Sequence, residues 1–210
     1  MINTTRLRCT IGWLGMLLPW IVLILAGIYG YGFPDSISQT YYFESCITPF
    51  MIILGSAGLL LFSYKGYDKQ DDIVCTLAGI FGLGICIFPC FASIVLDADR
   101  MVGTFQIVQN ISGWIHNTCA ILFFGLLAYN SLFLFTKSGG VMTKNKKKRN
   151  IIFRVCGVGM IASFLILIPV IRYELHGGVW FIEAIALAFF GISWLTKADY
   201  YPWLFADKKN

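Results

Sequence analysis

Between residues 11 and 196 one pattern occurs six times: a run of 18 to 25 mainly apolar residues, ended by a short polar segment. The runs cover about 11–29, 46–64, 73–95, 111–135, 151–171 and 179–196. A bilayer core about 30 Å thick is crossed by about 20 such residues in a helix. No water is present there to satisfy backbone groups, so each run must close its own hydrogen bonds as a helix. We therefore expect an all-α polytopic membrane protein, a six-transmembrane-helix bundle forming one domain over residues 1–210. Composition agrees. Charged residues make up 13% of the chain, where a soluble domain carries about 25%, and mean hydropathy is +0.74.

The first run follows Arg6 and Arg8 but is as long as a full span, so it reads as an uncleaved first helix rather than a signal peptide. Pro19 inside it is tolerable in lipid and usually kinks a helix. Pro89 is expected to kink the outer half of the third run. With six spans, both termini share a side. Counted by side, fourteen Lys and Arg fall with the termini and the second and fourth loops, and two, Arg100 and Arg172, fall opposite. The positive-inside rule then places both termini in the cytoplasm. The tail from Lys197, rich in Tyr and Trp, reads as an interfacial anchor.

This orientation sorts the polar residues. Asp35, Ser36, Ser38, Glu44, Asp97, Asp99, Arg100, His116, Asn117, Arg172, Glu174, His176 and Glu183 all fall at the outer end. Ionisable groups inside a bilayer are costly and face a bundle interior or a cavity. His116 and Glu183 sit at similar depth in the fourth and sixth runs, so an outer polar pocket is expected, roofed by residues 36–44. Its candidate ligand-binding residues are His116, Glu183, Asn117, Ser36, Ser38, Tyr41 and Asp97. The same pair is also consistent with a structural interhelical hydrogen bond, or with a metal or catalytic site. At the other end Lys144, Lys146, Lys147, Lys148 and Arg149 form a polybasic loop between the fourth and fifth runs. Each such charge attracts anionic lipid by about 1 kcal/mol, though the same lysines also serve topology alone.

The chemistry is bounded from several directions. A metal site would draw on His116, His176 and a carboxylate such as Glu183. A three-histidine zinc centre is excluded, since the chain has two histidines. No Gly-x-Ser-x-Gly, His-Glu-x-x-His or Gly-rich phosphate loop occurs. The seven cysteines include no Cys-x-x-Cys pair and read as small hydrophobic residues of apolar helices. Asp68, Asp71 and Asp72 lack calcium-loop spacing and read as a solvated turn. No cofactor is expected, and no aromatic-plus-basic surface points to nucleic acid.

Pro34-x-Ser36-Ile37-Ser38-x-x-Tyr41-Tyr42, directly after the first run, resembles a segment of the DRAM/FRAG/SFK-like membrane proteins. Ser63-Tyr64-Lys65-Gly66-Tyr67-Asp68, Phe88-Pro89 and Gly191-Ile192-Ser193-Trp194-Leu195-Thr196-Lys197 resemble blocks of small bacterial membrane proteins of this type. Where that family has Ser-Asp after the Ile, this chain has Ser38-Gln39. The resemblance implies a six-helix bundle and, from the family's eukaryotic branches, a role in lipid organisation or membrane regulation. It supplies no catalytic residues. The expectation is a lipid- or amphiphile-binding or membrane-regulatory protein of a bacterial inner membrane, with membrane lipids as partners. An intramembrane metal-dependent lipid hydrolase and a small proton-coupled transporter are the alternatives.

Overall fold

The computed structural model describes residues 4–92, 99–138, 140 and 142–200. Six long α-helices make up the fold: α1 (Thr4–Ile28), α2 (Glu44–Phe62), α3 (Lys69–Ile87), α4 (Gln109–Tyr129), α5 (Lys144–Arg172) and α6 (Gly178–Lys197). All six are long and apolar enough to cross a membrane. Each packs on its neighbours in the chain, and α6 packs back on α1, so the helices close a ring in sequence order. Leu18, Leu54, Phe123, Leu187, Phe190 and Trp194 meet in its centre. The outside is equally apolar: Ile24, Ile52, Ile121 and Leu165 are each at least 60% exposed. A water-facing surface rarely carries so large an apolar patch, whereas a lipid-facing one needs it.

Several boundaries differ from the sequence expectation, each for a local reason. α3 does not run kinked to residue 95; it stops at Ile87, and Phe88 is extended at φ −106°, ψ 105°. Proline disfavours helical backbone in the residue before it, so Pro89 ends the helix where a kink was expected. The expected continuation over residues 93–95 lies outside the described residues. Pro19, by contrast, stands within a continuous α1. α1 begins well before residue 11, so Arg6 and Arg8 are helical. The polybasic stretch is not a loop but the opening turns of α5, begun by Thr143, whose side chain accepts from the Lys146 amide. Lysine is a good helix former, and such an N-cap satisfies one orphan amide.

The fourth run is also divided. After α4 a π-helical turn spans Asn130–Leu134, and there Asn130 exchanges weak hydrogen bonds with the Cys75 thiol while Ser131 bonds Ser193 of α6. Before α4 a two-stranded antiparallel hairpin, β1 (Met101–Val102) and β2 (Ile107–Val108), was not foreseen.

The aspartates at the α2–α3 connection are structured rather than merely solvated. Asp68 caps α3, accepting from the Asp71 amide at 3.0 Å, and Asp71 accepts from the Tyr67 amide at 2.9 Å. Lys137 bonds Asp68 at 2.7 Å and Asp71 at 3.0 Å, tying this turn to the chain beyond α4. That hydrogen bond from Lys137, aided by the cap, holds the Asp68 carboxyl below its ordinary range. A depressed carboxyl stabilises the fold above its ordinary pKa, and the contribution disappears as pH falls through the lowered value. In Lys137→Met the Asp68 titration followed by NMR should move up toward that of a free aspartate. An unchanged titration would assign the effect to the α3 amides alone.

Candidate functional site

The end of the bundle where α1 finishes, opposite the basic end, is built around the broken tip of α3. Beyond Ile87 the chain is no longer helical, so the carbonyls of residues 88–92 have no intrahelical partners, and buried carbonyls must be satisfied. Side chains do this in series. His116 Nδ1 donates to the Phe88 carbonyl at 2.7 Å, Ser112 Oγ to Pro89 at 2.9 Å, Tyr42 Oη to Cys90 at 2.8 Å, and Gln109 Nε2 to Ala92 at 3.4 Å. Burial pushes the Tyr42 phenol up to about 12, so it stays a protonated donor across the physiological range.

Because a carbonyl can only accept, the His116 proton sits on Nδ1. Nε2, in the neutral ring, then accepts from Ser38 Oγ at 3.1 Å. Glu183 reaches the same short segment from α6: its Oε2 accepts from the Ile37 amide at 2.6 Å. Among the described residues His116 and Glu183 therefore do not bond each other. They hold two consecutive residues, Ile37 and Ser38, between α4 and α6. The segment is pinned further by its own bonds. The Asp35 amide donates to Gln39 Oε1 at 2.6 Å, the Gln39 amide to Ser36 Oγ at 2.9 Å, and Thr40 Oγ1 to the Ile37 carbonyl at 2.6 Å. The Trp180 amide, in the first turn of α6, donates to the Asp35 carbonyl at 2.9 Å.

Beside this clamp lies an open cavity of about 680 Å³, within the range of about 300–1,000 Å³ typical of ligand sites. Its lining combines polar groups, Ser36, Ser38, His116, Asn117 and Glu183, with apolar ones, Phe91, Ala92, Val170, Ile171, Leu175 and Val179. At the rim His176 Nδ1 lies 2.7 Å from Asp35 Oδ1. Glu174 stands beside them in a left-handed backbone conformation, φ 48°, uncommon for a residue with a side chain. A smaller pocket of about 40 Å³ leads inward, sharing Ser38 and Glu183 and otherwise lined by apolar groups such as Leu18, Phe50 and Phe123.

Five of the seven sequence candidates line the cavity: His116, Glu183, Asn117, Ser36 and Ser38. Tyr41 does not; its ring packs edge-on against Tyr42, centroids 5.5 Å apart, and leans on the core. Asp97 lies outside the described residues. Gln39 and Cys90 enter the cavity wall without having been singled out. Gln39 carried a signal, since it stands four residues after Asp35 in a turn-forming stretch; Cys90 is placed only by the break at Pro89. His116, His176 and Glu183 all line the cavity, yet among the described residues no three His, Cys, Asp or Glu side chains are grouped to hold a metal.

Of the basic residues at the other end, Lys146 and Arg149 line a second cavity, of about 640 Å³, and Lys144, Lys147 and Lys148 do not.

No known protein family, curated protein or solved structure matches this chain. Its class is accordingly defined by the fold: an all-α bundle of six helices with the dimensions of membrane spans. Within that class, this chain carries a polar-walled cavity at one end and a cationic one at the other.

Proposed function

We propose that this chain is a multi-pass protein of a bacterial inner membrane, with both termini cytoplasmic, that binds the polar head of a lipid or other amphiphile in the cavity beside His116. The observation that carries this reading is the mixed lining of the cavity, in which hydrogen-bonding groups from 36–38, α4 and α6 stand alongside apolar groups from residues 91–92, α5 and residues 175–179. An amphiphile presents the same combination of polar and apolar groups. Asp35, Glu174 and Glu183 bring carboxyl oxygens to the cavity, so the favoured head donates hydrogen bonds, as an amine or polyol does. The role is binding or membrane regulation rather than catalysis. His116 supports this, because both ring nitrogens are already engaged in holding structure.

Native mass spectrometry on gently purified protein tests the proposal. A co-purified amphiphile should be retained by the parent chain. It should be lost by about tenfold in Val179→Trp, a change equivalent to about 1.4 kcal/mol, because the larger ring occupies space that Val179 lines. Retention unaffected by the tryptophan, in a protein of unchanged melting temperature, would remove the cavity from any role in binding. Cysteine-accessibility labelling at Arg6 and Asp199 positions, substituted singly, checks the orientation; modification from the extracytoplasmic side would reverse it.

A further inference from the structure

The cavity at the basic end is assembled from four separate parts of the chain. Arg8 comes from α1, Lys137 from the connection after α4, Lys146 and Arg149 from α5, and Lys197 from α6. Two of these cations have carboxylate partners: Lys137 pairs with Asp68 and Asp71, and Arg149 with Asp199. The other three have none among the described residues. Arg8 donates to Tyr64 Oη at 3.0 Å and to the Lys197 carbonyl at 3.4 Å. Lys146 donates to the Phe135 carbonyl at 2.8 Å. Lys197 is 8% exposed, and its ammonium rests on two ring faces, Tyr67 at 4.4 Å and Phe135 at 4.8 Å.

A buried ammonium is costly unless paired. Ring faces offset part of that cost but supply no hydrogen-bond acceptor oxygen. Next to Lys197, Thr196 is among the residues lining the same cavity; it is 1% exposed, and its buried hydroxyl is without a hydrogen-bond partner among the described residues. An unsatisfied buried hydroxyl points to a missing partner. The first turn of α5 contains no acidic residue, so the positive end of its dipole adds to the side-chain charge instead of being balanced. Three cations from three helices, none in ion-pair contact with a carboxylate among the described residues, match, with a spare hydroxyl, a group bearing several anionic oxygens better than a single carboxylate.

We propose that this cavity is a binding site for a phosphate-bearing group, held by Arg8, Lys146 and Lys197 with Thr196 as a further donor. It is a separate site from the one beside His116 and does not depend on that reading. The phosphate comes from the headgroup of an anionic phospholipid or from a free phosphoester, and the chemistry of recognition is the same.

The full chain in nanodiscs, and in detergent with added phosphatidylglycerol, phosphatidylcholine or inorganic phosphate, separates these cases. The variants are Lys197→Met and, as a control of equal charge loss outside the cavity, Lys148→Met. Methionine fits an apolar buried site, so Lys197→Met should fold and melt no lower than the parent. For the headgroup, phosphatidylglycerol should be retained over phosphatidylcholine in native mass spectra. That retention should fall about tenfold in Lys197→Met and change less than about twofold in Lys148→Met. For a free phosphoester, inorganic phosphate alone should raise the melting temperature of the parent but not of Lys197→Met. Equal losses in both variants would reduce the effect to general surface charge and overturn the site. So would an absence of any preference for phosphatidylglycerol together with no response to phosphate. Should Lys197→Met melt lower, Thr196→Val and Arg8→Gln carry the same readouts, and unchanged binding in both overturns the site.

Discussion

Gly79→Val should be the most damaging single substitution in the bundle, lowering stability by about 3 kcal/mol or more, the upper part of the overpacking range. A β-carbon at Gly79 would stand 2.5 Å from the Phe62 amide nitrogen and 2.6 Å from the Gly58 carbonyl oxygen. Both are backbone atoms of α2, so no rotamer change relieves the contact and the two helices must separate. Gly125→Ala is the matched control, since a β-carbon there meets nothing within 4 Å. Alanine should stabilise α4 by about 0.5–1 kcal/mol through its better helix propensity. Thermal melts in one detergent measure both, and equal stabilities would mean that the α2–α3 contact contributes nothing specific.

The second large effect is expected at Glu183. Glu183→Ala removes the acceptor of the Ile37 amide, and Ile37 is 3% exposed. A buried donor left without a partner costs about 1–3 kcal/mol, with hydrogen bonds to charged groups toward the upper end. Glu183→Gln keeps an oxygen in place and should cost much less. His116→Ala, which orphans the Phe88 carbonyl, should resemble Glu183→Ala. The double variant should be non-additive by about 0.5–3 kcal/mol, because the two side chains hold adjacent residues of one segment. Hydrogen exchange at the Ile37 amide is the direct readout. It should lose protection in Glu183→Ala and keep it in Glu183→Gln. Loss in both would show that the charge, rather than the acceptor, secures residues 35–40.

These two sites also mark how far the sequence could be read. The helices were legible because apolar runs of span length leave the backbone one way to satisfy itself. Five members of the cavity wall were legible because ionisable and polar residues at one depth of an apolar bundle have few places to go. Their arrangement was not. A direct contact between His116 and Glu183 was a natural expectation from matching depth, yet they meet through Ile37 and Ser38. The Pro89 break leaves the Phe88, Pro89 and Ala92 carbonyls to side chains of α4, and so turns His116 Nδ1 to Phe88 rather than to Glu183. Tyr41 was grouped with Ser36 and Ser38 by nearness in the chain, but its ring turns to Tyr42 and the core instead of the cavity.

The small residues show the same division. Gly55, Gly58, Ala78, Gly79 and Gly82 look alike in the sequence, but a β-carbon at Gly55 reaches only the Cys86 sulfur at 4.0 Å, whereas Gly79 is in backbone contact range. Periodicity names a face of a helix and cannot say which residue of that face lies at the crossing point. At the basic end, charge counting read Arg8, Lys137 and Lys197 as topology signals, far apart in the chain. Local order in this protein is dictated by the chain's own hydropathy, proline and capping residues, which act within a few turns. The clamp on Ile37 and Ser38, the cationic cavity and the α2–α3 crossing exist only once distant helices close into a ring, because each needs groups separated by tens of residues to meet at hydrogen-bond or van der Waals distance.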